Sequence, residues 1–459
     1  MDHRVVVLTT LLACTLGAGQ APAAEAPAAP SPAAAGAAQS APAQGSGAGA
    51  TPPATTTALP PPRAYGGLSE ARVAYGRYLT LAGDCVACHT REGGNLFEGG
   101  RGIDTPFGTI YTPNITPAKG YGIGAFSDED FLRALQHGIR PDGKPYYPAL
   151  PYPSYTKVKD DDLLAIKDYL FSLEPSRYQP PETQLRWPFD MRDLLFGWQT
   201  LYLDDARFEP SPDKSDEWNR GAYLVEGLGH CGSCHTPRNL AGATEPKEAL
   251  TGAIVDGWYA PNLTSDLTEG LGAWSVEEIA TYFATGEAPS AKSGSGPETA
   301  ALGPMAEVVH QSLSQLAASD LRAMAVYLKD QPAKEAPPTT PPVPHQLTEE
   351  TYIKGRKLYA GYCAGCHQSH GQGLAPYFPA LAGNEAVTLP EPNDVIKTLL
   401  LGAPAEPDEA YSPHVVMPSF GSVFTDEQIA TLASWIRASW GNDAAPVSAD
   451  QVKALRSKR

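Results

Sequence analysis

The chain has 459 residues, which sets a prior of about three domains at roughly 150 residues each. With 42% hydrophobic and 19% charged residues it can build packed cores, so it is not a wholly disordered chain. Its 34 Lys+Arg against 51 Asp+Glu give a net charge of −17, which argues against nucleic acid as a partner and against polybasic membrane binding.

Residues 1–23 read as an export signal. Arg4 supplies a positive start, Val5 to Ala13 form an apolar run, and Ala21-Pro22-Ala23 offers a cleavage site. The run is shorter than the roughly 20 residues that cross a bilayer, and no later stretch is apolar enough to do so. Cys14 closes the run; it is either discarded with the signal or becomes a lipid-modified N-terminus. Residues 24–63 are dominated by Ala, Pro, Gly, Ser and Thr, and read as a disordered tether without the large side chains that offset ordering entropy.

Six of the seven cysteines lie in three copies of C-x-x-C-H. These are Cys85-Val86-Ala87-Cys88-His89, Cys231-Gly232-Ser233-Cys234-His235 and Cys363-Ala364-Gly365-Cys366-His367. The motif is the attachment signature of c-type haem. Two thiols add across the haem vinyl groups, and the adjacent His is placed to ligate iron. A zinc site would need two C-x-x-C pairs close in sequence, whereas these are more than a hundred residues apart. A redox dithiol leaves the recurring His unexplained.

A helical segment with a central glycine precedes each motif: Tyr75-Gly76-Arg77, Arg220-Gly221-Ala222 and Lys354-Gly355-Arg356. A glycine there lets a second helix approach closely. Closing helices are predicted over Asp161 to Leu173, Asp320 to Leu328 and Thr425 to Trp440, each led by an acid. The first two units also share Tyr111-Thr112-Pro113-Asn114-Ile115-Thr116 and Tyr259-Ala260-Pro261-Asn262-Leu263-Thr264. A second shared block follows, with Phe126-Ser127 matching Trp274-Ser275.

Paired opening and closing helices around a haem resemble the class I cytochrome c fold. The expectation is an all-α protein with three tandem class I cytochrome c domains behind a disordered N-terminal leader and tether. The domains are placed at 64–178, 215–331 and 347–445. They are joined by a connector at 179–214 and a Pro-rich linker at 332–346, and followed by a tail at 446–459.

A second axial ligand is often Met, which raises the potential. Met305 and Met417 each precede a closing helix by a similar interval and are the candidate iron ligands beside His235 and His367. His89 has no such partner, because Leu150 occupies the corresponding position. The first haem is then five-coordinate, or recruits His137, or recruits Met191 or another group. The connector stretch Arg186 to Leu203, rich in Trp, Phe and Leu, is either interdomain packing or a docking surface.

The whole set of motifs resembles the triheme cytochrome c subunits of membrane-bound periplasmic dehydrogenases, including those acting on alcohols and on gluconate. The resemblance spans about residues 65–455 and is most specific at Thr105 to Tyr111, Trp218 to Gly227, Asp256 to Thr264 and Leu381 to Asn384. It implies three covalent haems and a location on the outer face of the bacterial inner membrane. It also implies a catalytic flavin or PQQ dehydrogenase subunit, a small subunit, and membrane ubiquinone as acceptor. The chain has no dinucleotide fingerprint and no nucleophile elbow, so substrate chemistry is expected in the partner. A free-standing carrier feeding a terminal oxidase, and a haem enzyme acting at the first iron, are the competing readings.

Overall fold

The three opening helices begin alike. Ser69, Ser215 and Thr348 each cap a helix with a side-chain oxygen that accepts a backbone N–H, and an acid follows in the first turn. In the computed structural model, which describes residues 59, 69–289, 297–334, 346–374, 377–403 and 416–457, these helices span Glu70–Ala82, Asp216–Tyr223 and Glu349–Tyr362. The leader, most of the tether and Pro-rich linker, and Cys14 lie outside the described residues.

Each opening helix packs on a closing helix, at Asp160–Phe171, Ala318–Lys329 and Asp426–Arg437 respectively. The central glycines make this possible. A Cβ on Gly76 would stand 1.8 Å from the Ala165 carbonyl oxygen, and one on Gly355 would stand 2.3 Å from Trp435 Cβ. The backbones touch where any side chain would part them.

The second shared block proves to be a helix start. Ser127 and Ser275 form capping boxes with Asp130 and Glu278, opening the helices Asp128–His137 and Val276–Thr285. Both helices end on a left-handed glycine, Gly138 at φ 63° and Gly286 at φ 76°.

The expectation of an all-α fold needs one correction. The chain is helix-rich, but short antiparallel hairpins sit between the helices. Gly102–Thr105 pairs with Gly108–Tyr111, with Ile103 opposite Ile110, and Gln184–Leu185 adds a third strand. Ala253–Val255 pairs with Trp258–Ala260 across Asp256-Gly257, both at positive φ. Asp-Gly suits a two-residue hairpin turn, and branched and aromatic residues flank it. A third hairpin joins Glu287–Pro289 to Pro297–Ala300.

The first and second units share one contiguous core, which includes Leu79 and Leu163 from the first and Leu224 and Leu328 from the second. Buried polar contacts cross it: Tyr223 donates to Asp162 at 2.6 Å, and Ser312 Oγ donates to the Leu81 carbonyl at 2.7 Å. The third pair has its own core around Tyr359, Leu432 and Trp435. Residues 446–459, read as a tail, instead carry the helix Ala449–Arg456. Its Val452 and Leu455 complete that third core, because apolar residues three apart share one helix face.

Candidate functional site

Each C-x-x-C-H folds as a single short helical turn, at Cys85–His89, Gly232–His235 and Ala364–His367. Asp84 and His230 stand just before the first cysteine of their motifs in the left-handed region, at φ 46° and φ 36°. Asp and His tolerate this region better than most residues, and the bend turns the chain sharply into the motif.

The three histidines share one hydrogen bond. His89 Nδ1 lies 2.8 Å from the Pro113 carbonyl, His235 Nδ1 is 2.7 Å from that of Pro261, and His367 Nδ1 is 2.9 Å from that of Pro379. A carbonyl only accepts, so Nδ1 carries the proton and Nε2 keeps its lone pair. Desolvation lowers the pKa of all three imidazoles, only partly opposed by the proline carbonyls, and so favours the neutral form. A neutral imidazole with a fixed tautomer and ring orientation is what an axial iron ligand requires.

None of the six motif cysteines is paired in a disulfide. Burial pushes Cys85, Cys231 and Cys363 up to about 12, the opposite of the lowered pKa that activates a redox dithiol. Among the described residues no group of three or more His, Cys, Asp or Glu side chains is arranged to hold a metal ion directly, so a zinc reading lacks its donors. Paired thiols beside an imidazole with a free Nε2 fit a haem whose porphyrin would be tethered by two thioethers and whose iron would be bound by one histidine.

The first two motifs adjoin. The rings of Tyr155 and His230 meet edge to face at 5.8 Å. A Cβ on Gly83 would contact both Cys85 Sγ, at 3.4 Å, and Leu228, at 3.6 Å.

Met305 and Met417 are both partly buried, against the shared core and the third core respectively. Met417 pairs its backbone with Ala403. Met305 lies in the first turn of the helix Gly303–Gln311, which Pro304 is suited to start. Leu150 packs against the shared core from the corresponding place in the first unit. His137 Nδ1 pairs with Asp205 at 3.2 Å, and Met191 is 49% exposed.

The connector packs at some positions and is exposed at others. Trp198 donates to the Ala241 carbonyl and packs on Tyr152, and Gln199 donates to the His137 carbonyl. Trp187, Phe189, Leu194, Phe196 and Leu201 remain exposed.

The proline carbonyls were not legible as functional groups, since every residue carries a carbonyl. The repeated Pro-Asn-x-Thr was the available signal. Asn114 Oδ1 accepts from the Thr116 backbone N–H at 2.9 Å, and Asn262 Oδ1 from that of Thr264 at 2.8 Å. Each asparagine thus locks the loop whose proline orients the histidine. Pro379 lies in no such block and had no signal at all.

Comparison with known proteins agrees with this geometry. The cytochrome c family model matches residues 352–440, which hold the third motif, and a cytochrome c domain implies covalent haem c. The chain is 38% identical over 416 residues to the fructose dehydrogenase cytochrome subunit of Gluconobacter japonicus, covering 84% of this chain and 82% of that one. It is 37% identical over 408 residues to the gluconate 2-dehydrogenase cytochrome c subunit of Pantoea cypripedii, covering 84% and 90%. It is 36% identical over 412 residues to the cytochrome c subunit of the quinone alcohol dehydrogenase of Gluconacetobacter polyoxogenes, covering 84% of each. With 36–38% identity to three such subunits across 84% of its length, the chain belongs to the family of dehydrogenase cytochrome c subunits.

Proposed function

We propose that the chain carries three covalent haems and passes electrons from a catalytic dehydrogenase subunit, flavin- or PQQ-dependent, to membrane ubiquinone. In this reading three class I cytochrome c domains, at 64–178, 215–331 and 347–445, each hold one haem. Cys85 and Cys88, Cys231 and Cys234, and Cys363 and Cys366 form the thioethers. His89, His235 and His367 ligate the irons, with Met305 and Met417 as sixth ligands of the second and third. Each bound haem supplies a one-electron iron couple.

The observation that carries the reading is the threefold repetition of one imidazole geometry, each Nδ1 committed to a proline carbonyl and each Nε2 free. The chain's own part is to hold the haems, fix the ligands and limit water access. The adjoining first and second motifs support direct electron passage between those two haems. Leu150, which offers no ligating atom where the other units have methionine, supports a five-coordinate first haem.

The proposed setting is the periplasm, on the outer face of the inner membrane. Among the described residues no helix is long and apolar enough to cross a bilayer. The exposed aromatic and aliphatic side chains of the connector would lie in the membrane interface, where Trp and Phe are favoured.

Intact mass and pyridine haemochrome analysis of the exported chain test the haem count; fewer than three haems per chain would sink it. Affinity purification from the native membrane tests the assembly. A dehydrogenase subunit should co-purify, and substrate should reduce a quinone analogue. Recovery of a lone chain without dehydrogenase activity would instead favour a free carrier.

A further inference from the structure

Met305 sits in a helical turn that is poorly fixed by its own sequence. The helix Gly303–Gln311 begins after Leu302, which makes no side-chain capping bond, and Pro304 offers no N–H. The helices opened by Ser127 and Ser275 have full capping boxes by comparison. The placement of Met305 therefore rests on tertiary contacts.

Two contacts supply it. Gly303, at φ 51°, lies so close to the Trp258 indole that a Cβ would stand 2.4 Å from the ring. Glu307, just beyond Met305, accepts both arms of the Arg101 guanidinium, at 2.5 Å and 2.8 Å. The same guanidinium donates to the Ala87 carbonyl, inside the first C-x-x-C-H, at 2.5 Å. The backbone of Arg101 exchanges two hydrogen bonds with Thr112, whose neighbour Pro113 holds His89. One arginine thus touches the attachment turn and histidine support of the first motif, and the methionine helix of the second unit.

We infer that Arg101 and Glu307 are positioning residues that set the bond between Met305 and the second iron, and so tie that haem's potential to the first attachment turn. The inference rests on the reading of Met305 as an iron ligand. A bidentate pair fixes orientation as well as charge, and partial exposure of both side chains limits its bare Coulomb effect. A strained or lengthened methionine bond disfavours ferrous iron, so loosening the pair lowers the potential.

The test uses the full haem-loaded chain carrying Met417→His, so that the near-infrared methionine–iron band reports Met305 alone. Arg101→Gln and Glu307→Gln should weaken that band and lower the second haem's potential. The expected change is about tenfold in its reduction equilibrium, ~59 mV for a one-electron couple. Haem content and helical circular dichroism should be unchanged. Arg101→Lys keeps the charge but loses the fork, and should behave like Arg101→Gln. Restoration of band and potential by Arg101→Lys would show a bare charge effect and overturn the positioning role. An unmoved band and potential in Glu307→Gln, the near-isosteric change that serves even if the Arg101 variants lose haem, also overturns it. A band that survives Met305→Ala overturns the ligand reading itself.

Discussion

Gly221 lies against Ala323 so closely that a Cβ on the glycine would stand 1.9 Å from the alanine carbonyl oxygen. The neighbouring atom is backbone, so it cannot swing aside. Gly221→Ala should destabilise the chain by about 1–3 kcal/mol or more through overpacking. Denaturant unfolding of the haem-loaded protein measures this. An unchanged midpoint would mean the two helices do not pack as described. Gly361, where a Cβ meets nothing within 4 Å, is the matched control.

Leu150 stands where the other two units have methionine. Leu150→Met should convert the first haem from five- to six-coordinate. Carbon monoxide binding by the reduced protein should then fall by one equivalent per chain, the high-spin signal should disappear, and that haem's potential should rise. His137→Ala should leave the unmodified spectrum as it was; a changed spectrum would show that His137 completes that iron. Three uniformly low-spin His/Met haems in the unmodified chain would contradict the five-coordinate reading.

Asp394 joins the second and third units by accepting the Tyr259 backbone N–H at 2.7 Å. Burial raises its carboxyl from the usual range to about 7, only partly opposed by that hydrogen bond. A raised carboxyl pKa stabilises the fold below the unfolded value. That contribution is lost as pH rises through the folded value, here from about pH 4 to about pH 7. It is on the order of a few kcal/mol at 1.36 kcal/mol per pKa unit. Asp394→Asn, always neutral, should flatten stability across this window. Urea titrations at several pH values would show it, and an unchanged slope would dismiss the carboxyl as the source.

The connector exposes Trp187 at 79% and Leu201 at 75%. Replacing both with Ser should reduce sedimentation with vesicles and recovery in the membrane fraction several-fold, since each buried aromatic or leucine side chain is worth about 1.5–3 kcal/mol. The fold should be unaffected, because neither side chain belongs to the core clusters. Full membrane binding by the double variant would remove the connector from the docking surface.

The candidate site was legible in part because its chemistry is local. Two thiols and an imidazole within five residues announce themselves wherever the chain goes, and the glycine inside the helix before each motif marked a close helix contact. Capping residues such as Ser127 and Ser275 act within one turn, so their repetition in sequence became repetition in structure. The hairpin at Asp256-Gly257 had a turn signal as local as these, but its strands are too short for alternation to show.

What the sequence by itself determined is the set of three attachment motifs, the helices around them, and the missing methionine at Leu150. Each depends on residues near one another in the chain, where spacing is geometry. Only the tertiary structure decided which carbonyl holds each histidine, that the first two units share one core, and that Arg101 reaches Glu307. The Pro379 carbonyl that holds His367 comes from a loop that resembles neither of the others, and Arg101 and Glu307 are 206 residues apart. Such contacts arise when packed helices bring distant segments together, and no local pattern encodes which segments will meet.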